Sequence, residues 1–135
     1  MTEQDNIATV RAFIEAVERF DADAAAGFLD AQIVQTELPN KLYAKGQVRG
    51  RGDLIRDLPK GRQVLRSQAY PISTIFAAGD KVAVETRWER VLNVPLGRLQ
   101  PGDSMVAHIC MIFTLRDGKI AAQRNYDCYE DFAAA

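Results

Sequence analysis

Hydrophobic positions in "IATVRAFIEAVERF" recur at the spacing of a helix, with Ile7, Val10, Phe13, Ile14, Val17 and Phe20 along one face. The preceding Thr2 to Asp5 segment has the form of a capping box, which places a helix start there. "DADAAAGFLDA" follows at once. Asp21 or Asp23 can cap it, the alanines favour a helix, and Phe28 and Leu29 supply the apolar contribution, so a second, shorter helix is predicted. The period changes to two in "QIVQTELP", where Ile33, Gln35 and Glu37 alternate with Val34, Thr36 and Leu38 until Pro39 ends the run. That is the pattern of a strand.

Residues 40–52, "NKLYAKGQVRGRG", are rich in glycine and charge and read as a surface loop, with the freedom to cover a site. A helical pattern returns in "DLIRDLPKGRQVLRS" through Leu54, Ile55, Leu58, Val64 and Leu65, but Pro59 and Gly61 divide it into two short pieces. Three long strands are then expected, "QAYPISTIFAAG", "KVAVETRWERVLNV" and "SMVAHICMIFTLRD", followed by a last one in "GKIAAQRNYDCY". The links "AAGDK" and "RDGK" have the composition of tight hairpins, and "PLGRLQPGD" is longer. Helices first and a meander afterwards define an α+β domain, a cone-shaped, curved antiparallel sheet wrapped around N-terminal helices and enclosing a pocket at its hollow end.

Composition narrows the function classes. A chain of 135 residues, 47% hydrophobic, is the size of one domain over residues 1–135 and buries a core without disulfides. Its 17 basic and 18 acidic residues nearly cancel, and no Lys/Arg run tracks a phosphate backbone, so nucleic acid is not an expected partner. Cys110 and Cys128 are too few for a secreted disulfide framework, and "MTEQDNIA" lacks the regions of a signal peptide, so a cytoplasmic location is expected. The longest apolar run, "MVAHICMIF", is too short to span a bilayer, so no membrane role is expected.

The order of elements, together with "ELPN", "GDKVAVETRW", "FTLRDGKI" and "QRNYDCYEDF", resembles the SnoaL-like polyketide cyclase branch of the nuclear transport factor 2-like superfamily over essentially the whole chain. That superfamily holds ketosteroid isomerases, limonene-epoxide hydrolases, polyketide cyclases and non-catalytic binding or dimerisation modules, so the resemblance specifies fold better than function. A ketosteroid isomerase needs a carboxylate before the proline closing the first strand, a helix-one tyrosine and a protonated Asp on the penultimate strand; Leu38, Phe13 and Cys110 stand at those places. An epoxide hydrolase places an Arg and an acid two apart on a central strand and a second acid on the last strand. Arg87 and Glu89, with Asn125 or Asp127, match this in part.

Several side chains are candidates in their own right. In the last strand Gln123, Asn125, Asp127 and Tyr129 point to one side, which is either wetted by solvent or lines a cavity. If Ile120, on the opposite face, packs outward, the polar set turns inward; Asp127 is then the candidate acid or base, Asn125 orients a carbonyl or water, and Gln123 lines the wall. Glu85, Arg87 and Glu89 share one face of their strand, where two carboxylates flank a guanidinium either in the cavity or as a salt-bridged outer surface. Val82, Val84 and Trp88 form the other face, read as an apolar surface through which a homodimer assembles. Glu37 is a second candidate base, His108 either a proton shuttle or a hydrogen-bonded core residue, and Asn40 and Tyr43 candidate caps over a ligand. The spacing of His108, Cys110, Asp127 and Cys128 matches no zinc pattern, and no nucleotide-binding glycine motif is present, so neither metal nor cofactor is expected. Two classes of function stay open. One is cofactor-free acid/base catalysis of the cyclase, isomerase or epoxide-hydrolase type on a small apolar molecule; the other is a non-catalytic small-molecule-binding or dimerisation module.

Overall fold

The computed structural model describes residues 1–132. Its first helix, α1 (Glu3–Glu18), begins at Thr2, whose side chain accepts from the Asp5 backbone N–H while Asp5 accepts from Thr2 N, the reciprocal capping box. The short α2 (Ala22–Ala26) is capped by Asp21. Strand β1 (Leu29–Glu37) follows, and within residues 40–52 lies a short strand, β2 (Gln47–Arg49), where the composition suggested only loop. Helices α3 (Arg51–Asp57) and α4 (Gly61–Val64) are the two pieces divided around Pro59. The predicted strand over residues 68–79 is two, β3 (Leu65–Ala69) and β4 (Ile72–Ala78). They are separated at Tyr70 and Pro71, because proline cannot donate to a ladder and restricts the residue before it. β5 (Lys81–Leu92), β6 (Ser104–Arg116) and β7 (Lys119–Tyr129) complete the sheet.

The strand order is β2-β1-β7-β6-β5-β3, with β4 also pairing β5. β3 and β4 share one edge of β5, β4 against Lys81 to Thr86 and β3 against Glu89 to Leu92. The sheet is mixed rather than antiparallel, since β1 runs parallel to β7. The chain between them, through β2, α3, α4 and β3 to β6, makes the long return that parallel neighbours need.

Only the concave side of the sheet is covered by helices. Val10, Phe13 and Ile14 of α1 pack with Ile33, Val82, Val84, Ile109, Met111, Phe113 and Ile120 in one apolar cluster, and Phe13 meets Phe113 edge-to-face at 6.1 Å. This corrects the orientation expected for β5. Val82, Val84 and Trp88 face the helices rather than a partner, and Glu85, Arg87 and Glu89 lie on the convex side. The reason is desolvation: the opposite choice would press three charges onto the apolar face of α1 and leave the valines in water. Ile120 is likewise fully buried in the core instead of packing outward.

Phe113 is fully buried and holds α1 to the centre of the sheet. Replacing it with Ala is expected to lower unfolding free energy by about 3–5 kcal/mol, read from the denaturant midpoint at unchanged slope.

Candidate functional site

Beyond the packed centre of the sheet, the concave surface and the four helices leave a cavity of about 550 Å³. Its apolar wall comes from Phe13 and Val17 of α1, Leu54 and Leu58 around α3, and Ile109 and Met111 of β6. The polar wall is built by alternation: Gln35 and Glu37 point inward from β1, Trp88 and Arg90 from β5, and Gln123, Asn125, Asp127 and Tyr129 from β7. Arg49 enters from β2, and Tyr70 from the break between β3 and β4.

One side of this wall is a directed chain of hydrogen bonds. Arg49 Nη2 donates to Gln35 Oε1 at 2.6 Å, Gln35 Nε2 donates to Gln123 Oε1 at 3.0 Å, and Gln123 Nε2 donates to Asn125 Oδ1 at 2.9 Å. Each amide uses its oxygen toward Arg49 and its nitrogen away from it, so the Asn125 NH₂ is the last donor of the chain. Glu37 is held on both oxygens, by Gln47 Nε2 at 3.0 Å and by Asn40 Nδ2 at 2.8 Å. Asn40 Oδ1 also accepts from the backbone N–H of Leu42 and Tyr43, which braces the turn that sets Tyr43 at the cavity rim. Gly46 closes that turn at φ 66°, where a Cβ would collide with the Glu37 carbonyl.

Asp127 stands apart from these pairings. Its Oδ1 is buried with no hydrogen-bond partner, and its pKa is raised to about 6. Burial is the larger cause and the nearby Glu37 charge the next, while Arg90 and Arg49 pull the other way without prevailing. Burial also pushes the Tyr70 and Tyr129 hydroxyls well above the usual phenol range, so both stay protonated donors at neutral pH.

Arg90 is equally unusual. It is 9% exposed, its guanidinium sits 4.2 Å from the Trp88 ring centroid and 5.8 Å from that of Tyr129, and its Nε is buried without a partner. A long contact to Met105 Sδ, 3.7 Å, is the only hydrogen bond its side chain makes among the described residues. Desolvation accordingly lowers its pKa. A desolvated cation–π contact returns roughly 2 kcal/mol, whereas burying an unpaired ion costs roughly several kcal/mol.

The candidates named from sequence divide between the two faces. Asp127, Asn125, Gln123, Glu37 and Tyr43 line the cavity, and Asn40 braces Glu37 from behind. Glu85, Arg87, Glu89 and His108 lie on the convex face, where Arg87 pairs with Glu89 at 2.9 Å and His108 with Glu130 at 2.9 Å, all largely solvated. The Arg87–Glu89 pair therefore does not meet Asp127, and the inward residues flanking Arg90 on β5, Trp88 and Leu92, are not acids. At the end of β1 the inward residue is Glu37, not Leu38; Phe13 and the inward Ile109 and Met111 bring no hydroxyl or acid to the other isomerase positions. Cys110 and Cys128 point outward, away from Asp127, and no metal-ligating cluster of three His, Cys, Asp or Glu is found among the described residues. Arg49, Arg90 and Tyr70 were not singled out by the sequence; extending the alternation of Val82 and Val84 reaches Trp88 and Arg90, which was the available signal.

No helix of the described residues is long and apolar enough to cross a membrane. No curated protein gives a significant sequence match. Among solved structures, the chain is similar to a candidate polyketide cyclase from Xanthomonas campestris, at 25% identity and TM-score 0.76 over 92% of this chain and 90% of that one. It is similar to an NTF2-like protein from Burkholderia xenovorans, at 20% identity and TM-score 0.74 over 94% and 92% of the two chains. An epoxide hydrolase of M. tuberculosis, described as LEH-like, superposes with TM-score 0.71 at 22% identity over 95% of this chain and 84% of its own. The SnoaL-like domain matches residues 10–123, most of the chain and every element that builds the cavity wall except the end of β7, and the chain belongs to that family.

Proposed function

We propose that this protein is a cofactor-free acid/base catalyst acting on a small, largely apolar molecule held in the cavity, with Asp127 transferring the proton. The observation that carries the reading is Asp127 itself, a cavity carboxyl with an unpartnered Oδ1 and a pKa raised to about 6. A carboxylate so tuned accepts a proton from carbon next to a carbonyl and returns it later in the same cycle. The Asn125 amide at the end of its chain, and the Tyr70 and Tyr129 hydroxyls, are donors for the oxygen on which charge develops. Cyclisation and isomerisation fit this set better than epoxide opening, because no acid stands two residues from Arg90 on β5. The name of the Xanthomonas campestris protein points the same way.

The proton must leave the substrate for the ionised carboxyl, so kcat/KM is expected to rise with pH through about 6 and level off above it. Asp127→Asn should flatten that limb and lower turnover by roughly a hundredfold or more with ligand affinity little changed. A screen of polyketide-like ketones, lactones and epoxides on both proteins, with Asp127 titrated by carboxyl-carbon magnetic resonance, measures this. An ordinary Asp pKa together with no wild-type turnover overturns the assignment and leaves a binding module.

A homodimer through the convex face is part of the same reading, on residues different from those the sequence suggested. Phe76 is 56% exposed and adjoins Ala83, which pairs with Ile112, while Tyr126 is 43% exposed beside Cys110; together they form an apolar strip across β4 to β7. Sedimentation at micromolar concentration should give twice the chain mass, and Phe76→Glu should give the monomer. A monomeric wild type refutes the dimer.

A further inference from the structure

Arg90 is a buried cation looking for an anion. The Trp88 ring lies against its guanidinium at 4.2 Å, its Nε–H has no acceptor, and the planar N–H fork matches an acceptor lying in the guanidinium plane. The carboxylates of the cavity do not supply one. Glu37 is held on both oxygens by Asn40 and Gln47, and Asp57 is engaged by Arg56 and Arg49. Asp127 acts on Arg90 only through space and forms no ion pair or hydrogen bond with it among the described residues.

We propose that the ligand of this cavity carries a planar delocalised oxyanion, a carboxylate or an ionised enol, on an apolar ring system, and that Arg90 receives it. This rests on the reading of the cavity as a small-molecule site and deepens it. Trp88, Tyr129 and Tyr70 provide a ring-lined wall beside Arg90, with Tyr70 stacked on Trp88 at 5.5 Å and Tyr129 edge-on to Trp88 at 6.4 Å. An aromatic or polycyclic body extends from the anion toward Phe13, Val17 and Leu58. Arg49 also has an unpartnered Nε, but it already donates to Gln35 at 2.6 Å and pairs with Asp57 at 3.8 Å, whereas Arg90 has no ion pair at all among the described residues, so Arg90 is the receiver. Binding of the anion replaces the missing partner of Arg90, so the affinity gained is large for the charged ligand and absent for its neutral analogue.

Equilibrium calorimetry near neutral pH with two probe pairs tests this: anthracene carboxylate against its carboxamide, and hydroxynaphthoquinone against its methyl ether. Wild type should prefer at least one anion over its neutral partner by about tenfold or more, and which pair shows it separates carboxylate from enol. Arg90→Met should erase the preference while still binding the neutral probe. Arg90→Lys, which keeps the charge and loses the planar fork, should keep only part of it and decides the matter if the Met variant does not fold. Asp127→Asn should retain the preference, so a failure of the acid/base reading is told apart from a failure of this one. Equal binding of anion and neutral partner, an undiminished preference in both Arg90 variants, or binding of no probe overturns the proposal.

Discussion

The polar wall of the cavity exists because the alternation of β7 is interrupted at one residue. Thr114 of β6 pairs with Ala122, but the next residue, Leu115, pairs with Ile120, so Ala121 has no partner and forms a bulge. Ile120 and Gln123 consequently face the same way although they are an odd number of positions apart. Without the bulge, burying Ile120 would carry Arg124, Tyr126 and Cys128 inward and expel Gln123, Asn125, Asp127 and Tyr129. A matching irregularity in β1, between Leu29 and Val34, keeps that strand in step, with Asp30 accepting from Gln32 N inside the distorted stretch. The apolar core and the cavity are therefore two ends of the same strands, joined by one unpaired residue.

Once that wall faces inward, its charges have to be reconciled with a low-dielectric space. Glu37 and Arg49 are reconciled through neutral amides: Asn40 and Gln47 on one, Gln35 on the other. Asp127 is reconciled by holding its proton longer, and Arg90 by stacking on rings. The first pair is a supporting frame: Glu37 is held on both oxygens, and Arg49 is tied to Gln35 and Asp57 although its Nε stays unpartnered. The second is left with free valence, the property expected of groups that meet a ligand rather than one another.

The elements themselves were legible from short-range physics. Thr2 and Asp5 announced the start of α1, the apolar spacing from Ile7 to Val17 marked its inner face while Phe20 falls in the turn beyond its end, and Pro59 and Gly61 divided the later helices. The inward set of β7 was also legible, but the rule connecting it to Ile120 was not, because a bulge leaves no mark in a sequence as bland as "KIAAQ". β5 misled for a different reason. Its two faces, one of valines with Trp88 and one of charges with Ala83, could each be covered by either a helix or a partner subunit, and only the position of α1 decides which. β2 escaped notice because three residues in a glycine-rich loop acquire strand geometry from pairing with β1, a tertiary effect rather than a local one.

The exchange between Arg87 and Arg90 shows how much chemistry depends on that decision. Both arginines lie in "RWER", three positions apart and so on opposite faces of one strand. Outside, Arg87 finds Glu89 at 2.9 Å, and water and salt screen a pair that contributes about 0–1 kcal/mol. Inside, Arg90 meets rings in place of an acid, and the same guanidinium becomes a group that forms an ion pair with no described side chain. The acidic partner belongs to the solvated arginine and the unpartnered position to the buried one, which is the reverse of what stability alone would favour. An isolated sheet optimised for folding would place Glu89 beneath Arg90 or replace Arg90 with an apolar residue. The retained cation, next to a carboxyl tuned to about pH 6, is thus the feature of β5 that packing does not account for and that ligand chemistry does.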